Sequence, residues 1–87
     1  MKVAIWDTYV TKTDGTKMHF DIVVPHSLKQ ADIIHTFGQE YLSSLGYQGL
    51  KLDSEECRYC HMETAPEHVV SGIDEKGYFI IEMENCR

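Results

Sequence analysis

Two cysteines and one histidine are clustered in a short segment of the sequence. Cys57 and Cys60 are separated by two residues, and His61 directly follows the second cysteine. The third and last cysteine of the sequence is Cys86. Three thiols and one imidazole can complete the tetrahedral four-ligand shell that zinc prefers. The same residue types also fit thiol redox exchange and covalent haem attachment.

A structural zinc site is the chemistry that this spacing favours. The two-residue gap between Cys57 and Cys60 is typical of zinc-binding cysteine pairs, and Cys86 would add a third sulfur. We expect His61 to supply the fourth ligand, which gives a predicted metal site of Cys57, Cys60, His61 and Cys86. Three other histidines remain alternatives for the fourth position: His19, His26 and His68.

A redox pair formed by Cys57 and Cys60 is the alternative to a metal site. Redox cysteines of this spacing usually have a pKa lowered by the start of a long helix. Pro66 makes an uninterrupted helix from Cys57 onward unfavourable. Glu55 and Glu56 directly precede Cys57, and their negative charge disfavours a thiolate. A third interpretation is that the thiols are unoccupied and only structural.

The residue pattern matches a covalent haem-attachment motif, but the expected cellular compartment does not. The order Cys-x-x-Cys-His is the c-type haem pattern, and that chemistry normally takes place outside the cytoplasm. The apolar run at the N-terminus is interrupted at Asp7, which is not typical of a signal peptide. We therefore expect a cytoplasmic protein with reduced thiols and no haem.

The charge of the chain limits its partners. Lys and Arg number 8 against 14 Asp and Glu, which gives a formal net charge of −6. The basic residues are scattered, and binding to phosphates requires clustered cations, so we expect neither nucleic-acid nor membrane-surface binding. No apolar run approaches the roughly 18 residues of a membrane span. The partner classes that the charge still allows are a protein or a small molecule, and the sequence does not identify either. The sequence does not indicate an oligomeric state.

Four strands and two helices are predicted, in the order β-β-α-β-α-β. Alternating apolar residues predict strands over 2–10 and 18–24, joined by a hairpin turn at Asp14-Gly15. A helix follows, with Ser27 and Gln30 as a capping box and Gly46 as its stop. We further expect a short strand over 49–52, a helix from about Pro66 to Gly77, and a last strand over 78–83. The predicted fold is α+β, a single domain over 1–87, with the N-terminal hairpin on a mixed four-stranded sheet.

This topology would bring the predicted ligands to one edge of the sheet. One alternative is that the last strand runs antiparallel at an edge of the sheet. If instead both helices are right-handed crossovers between neighbouring parallel strands, strands two, three and four run parallel. Their carboxyl ends then share one edge, where ligand sites are favoured in open sheets. His26, the segment 57–61 and Cys86 would converge there.

The hairpin offers a second candidate site. A symmetric turn near Asp14 places Asp7 and Asp21 opposite each other on the two strands. Facing carboxylates raise the pKa of one of the pair and can do acid–base work. A hydrolase-like site at Asp7 and Asp21 is therefore a further hypothesis. We expect His19 to face solvent, and we expect the aromatic residues Trp6, Tyr9 and Phe20 to lie in the core.

Several segments together resemble the DUF2024 proteins, a bacterial family of unknown function. The resemblance rests on residues 6–10 and 18–21, on residues 54–61 with Ala65-Pro66, and on residues 77–80, 83–84 and Cys86. It implies a compact α+β domain in a bacterial cytosol and brings no established catalytic residue. Our leading hypothesis is a non-enzymatic binding or assembly domain whose Cys/His cluster holds structural zinc. The alternative is a thiol redox or metal-handling protein that uses Cys57 and Cys60.

Overall fold

The computed structural model describes residues 1–52 and 55–86. Four strands and two helices lie in these residues, and the predicted order β-β-α-β-α-β is confirmed. The strands are β1 (Lys2–Thr11), β2 (Lys17–Pro25), β3 (Cys57–Thr64) and β4 (Phe79–Glu84). The helices are α1 (Ala31–Ser44) and α2 (Glu67–Lys76). Neither described helix is long and apolar enough to cross a lipid bilayer.

The sheet is antiparallel throughout, so the prediction of a mixed sheet is wrong. Its strand order is β3-β1-β2-β4, and every neighbouring pair runs antiparallel. The connection through α1 leaves β2 and passes over β1, so that β3 pairs with the far edge of the hairpin. The connection through α2 then returns the chain to the opposite edge, where β4 pairs with β2. The hairpin therefore separates the strands that we expected to be parallel neighbours.

The third strand lies later in the chain than predicted. The segment 49–52 is not a strand, and β3 occupies Cys57–Thr64 instead. Leu52 is buried because it packs against α1 at Gly38, not because it pairs in the sheet. In β3 only Cys57 is buried, so the strand lacks the apolar alternation by which strands are predicted. Asp53 and Ser54, which lie between the predicted strand over 49–52 and Cys57, are outside the described residues.

The predicted start of α1 is wrong, whereas the predicted end of α2 is confirmed. Helix α1 begins at Ala31 with Gln30 as its N-cap, and no side chain caps it, so the predicted capping box at Ser27 is wrong. Ser27 instead lies in a turn in which the Leu28 amide donates to the Pro25 carbonyl. Helix α2 ends as predicted at Gly77, whose φ of 90° is the left-handed conformation that glycine permits.

The two helices cover opposite faces of the sheet. Helix α1 packs on the face that carries Phe20, Ile22 and Val24, and this forms the larger core. Helix α2 packs on the other face, where a second cluster forms. That second cluster consists of Val3, Ile5, Val23, Val69 and Ile73. We refer to the two surfaces as the α1 face and the α2 face.

Candidate functional site

Helix α2 is too short to cover its face of the sheet. Its 10 residues span roughly 15 Å, whereas the 10 residues of β1 extend over roughly 33 Å. It covers Val3 and Ile5 in the first half of β1. The next residues of β1 on the same face, Asp7 and Tyr9, lie beyond the helix. We call this uncovered end of the α2 face the open face.

The hairpin register places four chemically active side chains together on the open face. Asp7 pairs with Asp21 and Tyr9 pairs with His19 across β1 and β2, which confirms the predicted apposition of the two aspartates. Directly opposite residues of an antiparallel pair share one face of the sheet. His19 lies between the carboxylates, with Nε2 3.7 Å from Asp7 Oδ1 and 3.5 Å from Asp21 Oδ1.

The three side chains form a compact set of ligand atoms. One atom each from Asp7, His19 and Asp21 lies within 4.8 Å of the others. Across residues 1–52 and 55–86, no other three His, Cys, Asp or Glu side chains come this close. One imidazole nitrogen with two carboxylate oxygens is a ligand set for first-row divalent ions such as Zn²⁺ or Mn²⁺.

Two atoms of this set are buried without a hydrogen-bond partner. His19 Nε2 and Asp21 Oδ1 are both excluded from solvent and make no hydrogen bond, although they lie 3.5 Å apart at ion-pair distance. The Tyr9 ring stacks on His19, with ring centroids 4.1 Å apart, and covers it. An unpaired polar atom that has lost its water is energetically unfavourable. The geometry therefore leaves these two atoms ready to bind a further group.

Burial also perturbs the ionisation of the site. Desolvation, and then the neighbouring Asp7 carboxylate, raise the pKa of Asp21 to about 6. The positive charge of His19 acts in the opposite direction and only in part offsets this rise. Above about pH 6 the Asp21 carboxylate is ionised and can bind a cation. Below that pH it carries a proton and can act as an acid.

Cys60 and His61 border this set on β3. Trp6 pairs with Tyr59 and Ile5 pairs with His61, so Cys60 is the extra residue of a β-bulge. The Cys60 Sγ and His61 Nδ1 atoms are 3.1 Å apart, and His61 Nε2 lies 3.0 Å from Glu63 Oε1. Partial desolvation, followed by the hydrogen bond and charge of Asp7, raises the pKa of the Cys60 thiol.

The structure does not bring the two other predicted thiols to this place. Cys57 is buried on the α1 face, where the Thr8 hydroxyl donates to its sulfur. Cys86 is buried beyond the end of β4, and its thiol donates to the His19 carbonyl oxygen. Strands β3 and β4 form opposite edges of the sheet, three strand spacings or roughly 14 Å apart. Cys57, Cys60, His61 and Cys86 therefore do not form one tetrahedral centre.

The alternative histidine ligands are also dispersed. His26 lines a cavity on the α1 face beside Trp6. His68, on α2, packs edge-on against Phe79 of β4. His19 is the histidine that the fold places between two acidic side chains. The convergence that we expected fails because β3 and β4 form opposite edges of the sheet, which separates the segment 57–61 from Cys86. In addition, β4 runs antiparallel to β2, so Cys86 and His26 lie at opposite ends of the sheet.

The sequence indicated His19 only as an alternative fourth ligand of the cysteine site, and the positions expected for the His19 and Tyr9 side chains were wrong. His19 was expected to face solvent, yet its side chain is only 15% exposed. Tyr9 was expected in the core, yet it is 47% exposed and lies on His19. Phe20 is in the core as predicted, and Trp6 is partly buried against it. The signal was present in the hairpin, because a turn at Asp14-Gly15 also places Tyr9 opposite His19.

Comparisons with known proteins agree with the fold and add no activity. The sequence model of the family described as "Domain of unknown function (DUF2024)" matches residues 1–83. The chain is 41% identical to protein NE1680 from Nitrosomonas europaea, whose NMR structure comes from a structural genomics programme. The two structures superpose with a TM-score of 0.87 over all of both chains. No protein with a curated description matches the chain.

Proposed function

The chain belongs to the DUF2024 family, and from its open face we propose that it is a non-enzymatic domain that binds a divalent transition-metal ion. Asp7, His19 and Asp21 supply the ligands, and zinc is the ion expected in a bacterial cytoplasm. One observation carries the proposal. Three ligand atoms lie within 4.8 Å of one another, and two of them are buried and make no hydrogen bond.

A dication would relieve the unfavourable features of this site. It would neutralise the two facing carboxylates and give partners to His19 Nε2 and Asp21 Oδ1. The stacked Tyr9 ring holds the imidazole in one orientation, as groups around a metal site commonly do for ligating histidines. Three protein ligands leave further coordination positions, which solvent or a partner can occupy.

Cys60 and His61 are the parts of the predicted Cys/His cluster that fit this proposal. Asp7, Asp21 and Glu63 all raise the pKa of the Cys60 thiol through their negative charge, so Cys60 lies within electrostatic reach of the proposed ion but outside the set of three ligands. A dication there would favour the thiolate and reverse the rise of its pKa. Cys57 and Cys86 instead act as buried structural thiols in this proposal.

A redox pair at Cys57 and Cys60 receives less support from the geometry. The two residues are three steps apart in an extended strand, which places their Cα atoms roughly 10 Å apart. A disulfide requires a Cα separation below about 7 Å. Desolvation raises the pKa of the Cys57 thiol, and the pKa of the Cys60 thiol is raised as well. Neither thiol has the lowered pKa of an activated nucleophile.

Zinc binding to tag-free, chelator-treated protein tests the proposal. We expect about one zinc per chain by isothermal titration calorimetry at pH 7.5. At free zinc of 100 times the Kd, the free energy of unfolding should rise by about 2.7 kcal/mol. That corresponds to an increase in Tm of roughly 10–20 °C for a domain of this size. His19→Gln and Asp21→Asn should abolish binding at this concentration.

Matched variants distinguish this site from the centre predicted by the sequence. Cys86→Ser and His68→Gln should bind zinc as the parent protein does. Cys86 lies in the core of the α1 face and contacts His19 only through its backbone carbonyl, and His68 packs on Phe79. Loss of zinc in Cys57→Ser or Cys86→Ser, with retention in Asp21→Asn, would favour the four-ligand Cys/His centre and refute the open-face site. Absence of binding to the parent protein would refute both.

A further inference from the structure

A second concave site lies on the α1 face, across the sheet from the open face. It is a cavity of about 310 Å³, which is a volume typical of small-molecule sites. Strand β1 contributes Ala4 and Trp6, β3 contributes Tyr59, and the connection from β2 to α1 contributes His26, Leu28 and Lys29. The cavity and the proposed metal site use opposite sides of β1.

Aromatic rings form the apolar part of this cavity. Trp6 and Tyr59 pair across β1 and β3, and their rings meet edge-to-face with centroids 6.0 Å apart. Tyr59 is 50% exposed, so one wall of the cavity is open to solvent. Ala4 and Leu28 complete an apolar lining of small and medium side chains.

The polar groups of the cavity are mainly hydrogen-bond donors. Trp6 Nε1 is excluded from solvent and has no hydrogen-bond acceptor, and an indole N–H can only donate. Lys29 brings an ammonium group, whose contact in the structure is the His26 carbonyl oxygen at 3.3 Å. His26 adds an imidazole, and Tyr59 adds a phenol. An acceptor that reached Trp6 Nε1 would remove an unfavourable unpaired donor.

The charge of the cavity is opposite to that of the molecule. The chain has a net charge of −6, yet the residues that line the cavity include one lysine, one histidine and no acidic side chain. A cation in such a lining favours an anionic ligand, and a charge-assisted hydrogen bond is roughly twice as strong as a neutral one. The aromatic walls favour a ligand whose remaining surface is apolar.

We propose that this cavity binds a small carboxylate with an aromatic or aliphatic body. The carboxylate would accept a hydrogen bond from Lys29, while the body of the ligand packs against the rings of Trp6 and Tyr59. This site does not depend on the metal site, because the two lie on opposite faces of the sheet.

The single tryptophan of the chain makes the test specific. We would titrate ¹⁵N-labelled protein with benzoate and follow the one indole N–H resonance. We expect a saturable shift with a Kd of about 1 mM or lower, which is a typical affinity for so small a ligand. Benzyl alcohol, which keeps the ring but lacks the charge, should produce no saturable shift over the same range.

Two lysine variants separate the cavity from general electrostatics. Lys29→Gln should weaken benzoate binding about tenfold or more, since it removes the charge-assisted bond. Lys17→Gln removes an equal charge at the opposite end of β2 and should leave binding unchanged. Both lysines are exposed, so neither variant should impair folding, and circular dichroism would verify this.

Three results would overturn the inference. The indole resonance could fail to shift to saturation with benzoate. Benzyl alcohol could shift it with equal affinity, which would show that charge has no role. Lys17→Gln could weaken binding as much as Lys29→Gln, which would show only long-range attraction.

Discussion

At the scale of single residues, the alternation of side chains along the hairpin strands separates the core residues from the residues of the candidate site. In β2 the residues Met18, Phe20 and Ile22 point to the α1 face and are fully buried. The residues between them, His19 and Asp21, point to the open face. Because successive side chains of a strand alternate in direction, a shift of one residue in register would exchange the two sets. The hairpin turn thus fixes both the core and the site.

The raised pKa of Asp21 predicts how its replacement affects stability. Its folded-state pKa is about 6, above the unfolded value of about 4. Between about pH 4 and pH 6 the folded state therefore binds more protons, and stability falls as the pH rises through this window. Asp21→Asn removes the penalty, so metal-free Asp21→Asn should melt a few degrees higher than the parent protein at pH 7.5. The difference should vanish below about pH 4.

Thermal unfolding followed by circular dichroism in the presence of a chelator measures this effect. Asp74→Asn, an exposed substitution in α2, is the matched control and should leave the pH dependence of Tm unchanged. An Asp21→Asn protein that melts lower than the parent protein at pH 7.5 would show that the ionised carboxylate stabilises the metal-free fold.

At the scale of elements, Gly38 shows a close approach that is visible in the sequence. It falls in the apolar stripe of α1, and a Cβ at this position would collide with the Leu52 Cδ2 atom and crowd Ile22. In an exposed helix interior, replacing glycine by alanine would stabilise by roughly 1 kcal/mol. Here an overpacking cost of about 1–3 kcal/mol opposes that gain, so Gly38→Ala should destabilise the protein by up to about 2 kcal/mol.

A double-mutant cycle in urea checks the cause of this loss. Leu52→Ala removes the atom that Gly38→Ala would meet, so Gly38→Ala should be less destabilising in the Leu52→Ala background than in the parent protein. Equal losses in both backgrounds would mean that the Leu52 contact is not responsible.

Elements with local signals could be predicted, and elements that depend on tertiary contacts could not. The hairpin has a strong turn at Asp14-Gly15 and clear alternation in its second strand, and a symmetric turn there places Asp7 roughly opposite Asp21, as the structure does. The sequence alone did not fix the register. Strand β3 has neither signal, because its side chains after Cys57 are exposed. Leu50 and Leu52 have the composition of a strand, but their burial comes from packing beneath α1.

At the scale of the whole molecule, the choice of pairing partners determined what sequence analysis could predict. The local patterns are equally compatible with parallel and antiparallel neighbours. The structure adds β3 to one side of the hairpin and β4 to the other. This separates Cys57 from Cys86 and leaves the open face to the hairpin side chains. The predicted four-ligand cluster depended on an arrangement of strands that no local signal specifies.

The positions of the thiols predict that the folded chain forms no internal disulfide. Cys57 and Cys86 lie at opposite edges of the sheet, and Cys57 and Cys60 are separated along one extended strand. Air-oxidised protein, denatured and alkylated, should therefore show three modified cysteines by mass spectrometry. A folded monomer that has lost two hydrogens and carries a single alkyl group would show that β3 rearranges enough to join two thiols.

The bulge at Cys60 has a counterpart on β4, and the two bulges affect whether sheets of different molecules can pair at their edges. His19 pairs with Glu84 while Phe20 pairs with Glu82, so Met83 is an extra residue on the second edge strand. Each outer edge of the sheet is thus irregular, and it carries exposed acidic residues, Glu63 on β3 and Glu82 and Glu84 on β4. Irregular and charged edges hinder the addition of a further strand from another molecule. The two bulges and the acidic side chains therefore disfavour edge-to-edge pairing between copies of the protein.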